Sequence, residues 1–473
     1  MPNGISQLGK EIGMINNAIV VIMGDVGSNP RMYYHALSLA DNGYNVDLVG
    51  YAGTEPHNRI VSHPKIRLIR MRSFPDAMLT FFPNTPNPIA VFINYLWIFP
   101  SPIAVFNKYL WILFSLFIAL QFQTKDCVKL TITQNPLGVL AMFICWMAAR
   151  LKHGALIIDW HNYSSVLLAE SDVIETEQSA GKGLYARVGK IAEGYFAKTA
   201  DWNLCASRAI QKGLRRRLGI KALTTVYNKT PSWAFRPLNT EEKHNFLARM
   251  MKAPDFATIT SSKHWPTNGD DSLFFRKTPS GEMKLLDNRP LMVVFSTCLS
   301  LSEEFEAILE ALEGYEKHAQ SDIHQCADET KALPKLLVTI IGEEPLKSFY
   351  LERIAKMDMR YVHIVITWLT AEDYPKILAC ADLGVSLRTS SPGVDLSMKV
   401  ADMIGFHLPV LAKKYDAIGE LVVDNINGMF FDNSHELKQK LIELATGFPK
   451  FSTANSYILT ERLGPGARKF END

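Results

Sequence analysis

The sequence predicts two α/β domains, each a parallel sheet covered by helices on both faces. Three observations lead there. The chain has 473 residues, too many for one hydrophobic core. Hydrophobic residues make up 47% and charged residues 21%, so there is apolar material for large cores. Short β-rich runs alternate with helical periodicity twice, on either side of a polar stretch, and regular β-then-α order requires parallel strands. The formal net charge of +2 excludes a nucleic-acid binder relying on general positive charge. The six cysteines contain no C-x-x-C pair, so they read as reduced, buried thiols in a cytosol-facing protein.

The N-terminus does not read as a secretory leader: Lys10 is the one basic side chain before Arg31, and Ala18–Met23 is too short. Ala18–Asp25 reads as the first strand, ending in Gly24-Asp25-Val26-Gly27. Ser28 and Asn29 offer helix caps, and Pro30 suits a first helical position. Met32, Ala36, Leu39 and Ala40 repeat at helical spacing, and Gly43 is a good terminator. With a strand at Asn45–Gly50 this is a βαβ opening. It lacks G-x-G-x-x-G. Lys65–Arg72 reads as a third, basic strand.

An apolar stretch follows. Residues 77–107 carry no charge, and Pro-Ile-Ala-Val-Phe occurs at 88–92 and again at 102–106, an offset of 14 residues. A spanning helix needs about 20 apolar residues; Pro100, Pro102 and Lys108 interrupt this one. Segment 86–122 therefore reads as membrane-associating at the interface, with Tyr95, Trp97, Tyr109 and Trp111 suited to the headgroup zone, or as a pair of buried core helices, with a true span as the less favoured alternative.

Alternation resumes with strands at Val128–Thr133, Ala155–Trp160, Trp202–Cys205 and Thr224–Tyr227. Helices are expected over 137–151, 186–199 and 208–218. The domain expectations are an N-terminal domain over 1–230, a linker carrying an insertion over 231–288, a C-terminal domain over 289–445, and a tail, 446–473, that packs back on the first domain. The C-terminal strands are Leu291–Ser296, Leu336–Ile341, Val362–Thr367, Leu383–Ser386 and Leu408–Ala412, with a helix near 416–423. Ligands belong at the carboxyl ends of such strands, in a cleft between the sheets.

Two clusters carry chemistry. The first is the run from Leu387 through Thr389, Ser390, Ser391, Gly393, Asp395 and Lys399 to Asp402. Small residues and free N–H groups ahead of a helix bind phosphate, and Lys399 adds positive charge. Asp402, seven residues after Asp395, returns to nearly the same helix face, and a carboxylate suits paired ribose hydroxyls. The alternative is that Asp395 or Ser397 merely caps the helix. The second cluster is Asp159-Trp160-His161-Asn162 at a strand's carboxyl end, equipment for taking a proton from a hydroxyl; its alternative is a structural histidine. Arg215-Arg216-Arg217 reads as a solvated helix face.

Several blocks together resemble the chitobiosyldiphosphodolichol β-mannosyltransferases. They are Gly24-Asp25-Val26-Gly27-Ser28-Asn29-Pro30-Arg31-Met32, Tyr34-His35-Ala36-Leu37, Asp159-Trp160-His161-Asn162-Tyr163, Trp368-Leu369-Thr370-Ala371-Glu372-Asp373-Tyr374-Pro375, and Thr389–Asp402 continuing to Gly405. The resemblance implies a GT-B fold, two Rossmann-like domains with parallel sheets facing across a cleft. It implies transfer of mannose from GDP-mannose to dolichyl-diphosphate-linked di-N-acetylglucosamine, at the cytosolic face of the endoplasmic reticulum membrane. The transfer inverts, so it requires a base, for which His161 and Asp25 are the candidates. Asp402 would hold the ribose, and Gly342 would belong to the donor site with Thr389–Lys399. Gly24, Gly27, Arg31, Asp159 and Asn162 would line the acceptor side. The resemblance requires no cofactor and allows a divalent cation. Other dolichol-pathway glycosyltransferases are expected partners; nucleic acid is not. Another GT-B mannosyltransferase of that pathway, or a scaffold without activity, are the alternatives. The chain departs from the family at two loops, reading Cys298-Leu299-Ser300-Leu301-Ser302-Glu303-Glu304 and Gly342-Glu343-Glu344-Pro345.

Overall fold

A computed structural model describes residues 16–27, 29–71, 102–135, 139–162, 191–228, 230–231, 233–260, 262, 264–265, 272–296, 303–322, 332–342, 347–389 and 393–448. The altered loops at 297–302 and 343–346, the first copy of the repeat and the tail beyond 448 lie outside these residues. The chain forms two compact units, Met1–Tyr227 and Asn228–Asp473.

The first unit runs β1 (Asn17–Asp25), α1 (Pro30–Asp41), β2 (Asn45–Tyr51), α2 (Asn58–Val61), β3 (Ile66–Met71), α3 (Pro102–Ile118), β4 (Val128–Asn135), α4 (Val139–Leu151), β5 (Ala155–Trp160), β6 (Trp202–Cys205), α5 (Arg208–Leu218) and β7 (Leu223–Thr225). Residues 191–199 are helical ahead of β6. The sheet order is β3-β2-β1-β4-β5-β6-β7, and all its pairings are parallel. The order reverses at β1, so the ends of β1 and β4 form the switch point where such sheets bind ligands. The expected cap of α1 is present: Asn29 accepts from the Met32 N–H, with Pro30 in the first turn, and Gly43 has φ +95°.

Helix α3 resolves the apolar segment in part. Leu116, with Ala119 and Leu120 of the π-helical turn that follows (Ala119–Gln123), is buried against Ile19, Val49 and Ile69 of the sheet. Leu110 and Phe114 of α3 and Phe122 of that turn are 47%, 56% and 74% exposed, and the neighbouring α4 exposes Leu140 and Phe143. Among the described residues no helix is long and apolar enough to cross a membrane. Helix α5 places Arg215, Arg216 and Arg217, all exposed, in its last turn, where positive charge complements the helix dipole.

The second unit begins with α6 (Thr240–Met250), α7 (Ala257–Thr260) and the antiparallel hairpin β8 (Phe275–Lys277) and β9 (Met283–Leu285). It continues with β10 (Leu291–Ser296), α8 (Glu303–Asp322), β11 (Leu336–Ile341), α9 (Lys347–Ala355), β12 (Val362–Thr367), α10 (Tyr374–Cys380), β13 (Leu383–Ser386), α11 (Met398–Gly405), β14 (Val410–Lys413), β15 (Gly428–Phe431) and α12 (Ser434–Ala445). The parallel sheet β12-β11-β10-β13-β14-β15 repeats the strand order of the first unit. Alternate residues of β10 point to opposite faces: Leu291, Val293 and Phe295 pack with α8 and α12, Met292 and Val294 with α10 and α11.

Of residues 231–288, expected to be a linker carrying an insertion, described ones build part of this unit's core. Phe246, Phe256, Trp265, Phe274 and Phe275 join Met292, Val294 and Leu337 in one buried cluster, and a capping box between Asn239 and Glu242 starts α6. The helix expected near 416–423 is a 3₁₀ turn, Ile418–Glu420. Glu316 of α8, 5% exposed, receives the N–H groups of Arg360, Tyr361 and Val362 at 2.9, 2.8 and 3.0 Å, which ties the start of β12 to the helix over the sheet.

Candidate functional site

Each unit collects polar side chains at the carboxyl ends of its strands. In the first unit the centre is Asp159, the next-to-last residue of β5. Strands β4 and β6 flank β5, and the indole of Trp160, itself buried, donates to Asn203 of β6 at 2.8 Å. The backbone at this point is therefore fixed. The Asp159 carboxylate is fully buried and receives four N–H groups. Arg31 gives Nε to Oδ2 at 2.6 Å and a terminal nitrogen to Oδ1 at 2.8 Å. The Nε2 atoms of His35 and His161 both meet Oδ2, at 2.9 and 3.0 Å. Arg31 also donates to the carbonyl of Val226 at 2.8 Å. Burial alone would raise the pKa of Asp159, but Arg31, His161 and His35 outweigh it and hold the carboxyl well below the usual range.

An ionised carboxylate accepts only. Each imidazole must therefore present an N–H at Nε2, which leaves Nδ1 as the basic nitrogen of the neutral ring. His161 keeps 26% of its side-chain surface and His35 18%. Beside them, Asn135 at the end of β4 donates to the Asn162 carbonyl at 3.2 Å and to buried Glu193 at 2.9 Å.

The loop after β1 is organised by Asp25 rather than left free. The backbone N–H of Gly27 donates to its Oδ1 at 3.0 Å and that of Thr54 to Oδ2 at 2.8 Å. Burial pulls the Asp25 carboxyl up, but hydrogen bonds from Thr54 and Gly27 outweigh it and leave it lowered. A carboxylate so held is a poor base. Gly27 is required because a Cβ there would collide with the Thr54 carbonyl; Gly24 has no such neighbour. Asn29 bridges to Gln134 at the end of β4.

In the second unit the candidate residues gather around the start of α11. This helix begins at Met398, so Asp395 precedes it. The expectation that Asp395 and Asp402 share a helix face is corrected: Asp395 lies ahead of the helix, two residues after Gly393 at φ +76°. Nor does Ser397 merely cap the helix. Its side chain makes no capping bond, and its hydroxyl, on a residue 6% exposed, has no partner among the described residues. A buried orphan hydroxyl at a helix start is an open hydrogen-bonding position.

Asp402 lies one turn into α11, half-buried. It accepts from the Tyr374 hydroxyl at 3.2 Å, and Lys399 Nζ lies 4.0 Å from the centre of the Tyr374 ring. Burial lifts the Asp402 carboxyl to about 7, against the pull of Lys399 and Tyr374. Burial, and then the charge of Asp395, push Tyr415 up to about 12. Thr389 is exposed, Gly342 bonds its N–H to the Thr367 carbonyl at 3.2 Å, and Ser390 and Ser391 lie outside the described residues. Among the described residues no three His, Cys, Asp or Glu side chains form a metal-holding group.

The sequence reading missed His35, Asn135 and Glu193 in the first unit, and the roles of Tyr374 and Tyr415 in the second. His35 had a signal: it follows Arg31 by four residues on a helix, so the two share a face.

Comparison with known proteins accords with this picture. No protein-family model matches the chain. A protein of Arabidopsis thaliana named UDP-glycosyltransferase TURAN is 33% identical, over 93% of this chain and 90% of that protein. The chitobiosyldiphosphodolichol beta-mannosyltransferase of Dictyostelium discoideum is 32% identical over 91% of this chain and 84% of its own. That of Homo sapiens is 30% identical over 92% and 85%. Among solved structures, a glycosyltransferase from Rickettsia africae matches with a TM-score of 0.54 at 12% identity, over 96% of this chain and 97% of that one. TarM matches with 0.55 at 11%, over 97% and 95%. These structures share the fold, the GT-B arrangement of two parallel-sheet domains. Likeness to sequence relatives at 30% and above, along nearly the whole chain, places this protein in the chitobiosyldiphosphodolichol beta-mannosyltransferase family of glycosyltransferases.

Proposed function

We propose that the protein transfers mannose from GDP-mannose to a hydroxyl of dolichyl-diphosphate-linked di-N-acetylglucosamine, with inversion, at the cytosolic face of the endoplasmic reticulum membrane. The observation that carries the reading is the engagement of His161 Nε2 by a buried, ionised Asp159. In this reading His161 Nδ1 takes the proton of the acceptor hydroxyl. The oxygen attacks the anomeric carbon, the bond to the diphosphate breaks, and GDP leaves with that electron pair. Asp25 keeps its loop in shape and is the weaker candidate for base. The second unit holds the donor: Asp402 accepts from the ribose, while Gly393–Ser397, the start of α11 and Lys399 face the diphosphate. No divalent cation is needed in this scheme.

The exposed apolar face of α3 and α4 supports membrane association of the first unit. Other dolichol-pathway glycosyltransferases are expected partners at that surface.

The test is transfer of labelled mannose from GDP-mannose to a phytanyl-diphosphate chitobiose acceptor, with UDP-sugars as competing donors and β-mannosidase digestion of the product. A digestible product from GDP-mannose is expected. Transfer only from a UDP-sugar, or a product resistant to β-mannosidase, would overturn the donor or the inverting reading. Absence of transfer and of GDP binding by folded protein would replace both with a scaffold.

A further inference from the structure

Asp159 serves two imidazoles, and proton transfer by His161 uses one. We propose that His35 is a positioning residue for that transfer, fixing the ring of His161 and setting its basicity through the carboxylate they share. The proposal rests on His161 as base.

The geometry carries it. Oδ2 of Asp159 is met by Arg31 Nε at 2.6 Å, His35 Nε2 at 2.9 Å and His161 Nε2 at 3.0 Å. The two histidine nitrogens therefore lie within about 6 Å of each other. Arg31 already balances the carboxylate. Protonating both rings would place two further positive charges around one oxygen, which like-charge repulsion opposes.

His35 also competes for the oxygen that would stabilise His161 once protonated. An acceptor shared among three donors gives less to each, so a neutral His35 lowers the basicity of His161. Other ionisable groups face the cluster from the packed elements. Cys205 of β6 has its thiol pushed up to about 12 by burial and then by Asp159; Arg215 of α5 acts on that thiol; Glu193 lies behind Asn135. His35 and Arg31 share Oδ2 with His161.

The experiment compares His35→Phe, which removes the donor, with His35→Gln, whose amide N–H keeps one, in the full-length protein. Two quantities are read: the acid limb of the pH–kcat profile for mannose transfer, and the titration of His161 by NMR with ¹³C-labelled histidine. In His35→Phe both should move to higher pH by roughly 0.5–1 unit, the size expected for loss of one competing hydrogen bond. KM for the acceptor should change less than kcat at pH 6.5. His35→Gln should restore the wild-type midpoint. A midpoint unmoved in His35→Phe, or moved equally in both variants, would overturn the proposal. His161→Ala separates the two ideas. If transfer and its acid limb survive that change, His161 is not the base; the NMR shift still decides whether His35 sets its protonation.

Discussion

The hydroxyl of Tyr374 donates to Asp402 across 3.2 Å, and Lys399 caps the face of the same ring. Burial has raised the Asp402 carboxyl to about 7. Between its unfolded value of about 4 and that figure, the folded protein keeps a proton the unfolded chain has released, so the group's contribution to stability falls as pH rises through this window. In its proposed role Asp402 accepts from a ribose diol and must be ionised to do so. GDP affinity should therefore climb from about pH 5.5 to 8 and then level off, with proton release on binding. Asp402→Asn should flatten the profile and weaken binding roughly tenfold to a hundredfold. Calorimetry in buffers of differing ionisation enthalpy reads both, and a flat wild-type profile would remove Asp402 from the nucleotide site.

Arg31 and Asp159 form a buried pair whose halves cannot be separated cheaply. Arg31→Met should cost about 3–5 kcal/mol, because it strands a buried carboxylate. Arg31→Lys should recover only part of this, since an ammonium cannot make both bonds of the guanidinium. The depressed Asp159 carboxyl contributes stability that is present above its unfolded value and lost as pH falls through the folded one. The acid unfolding midpoint of Arg31→Met should accordingly lie at higher pH than that of the wild type. Urea and acid titrations followed by circular dichroism check both statements.

Glu316 supplies acceptors to three consecutive backbone N–H groups, those of residues 360–362. Glu316→Gln turns one of its oxygens into a donor facing donors. A loss of about 1–3 kcal/mol is expected, with hydrogen exchange accelerated first at those three amides. Unchanged exchange there would show that the latch is dispensable.

Leu110, Phe114 and Phe122 are exposed on the face of α3 and the turn after it. Replacing all three by serine should leave the unfolding midpoint within about 2 °C while weakening sedimentation with anionic vesicles at least tenfold. Vesicle binding that survives the triple change would move the membrane contact elsewhere.

The parallel strands were legible because strands buried on both faces read as continuous apolar runs; Leu291–Ser296 and Leu336–Ile341 have the expected bounds. β15 was missed: it is four residues long, begins with glycine and closes the sheet at its edge. The aromatic residues between 235 and 275 are spaced without helical or strand period, so their burial could not be seen before the sheet they cover. In the sites, adjacency along the chain was readable and adjacency across it was not. Asp159 and His161 are two residues apart, whereas His35 reaches Asp159 from 124 residues away. The shared-face argument for Asp395 and Asp402 failed because the helix starts three residues after Asp395.

The aromatic cluster of residues 235–275 also says where the second unit can be cut. Met292, Val294 and Leu337 are covered by it, so a fragment starting at residue 289 would show that side of its sheet to water and associate with itself. A fragment starting at Asn228 carries its own cover. For recombination, limited proteolysis or transplantation of the second unit, the natural seam is therefore at Tyr227–Asn228, some sixty residues earlier than the strand pattern alone marks it.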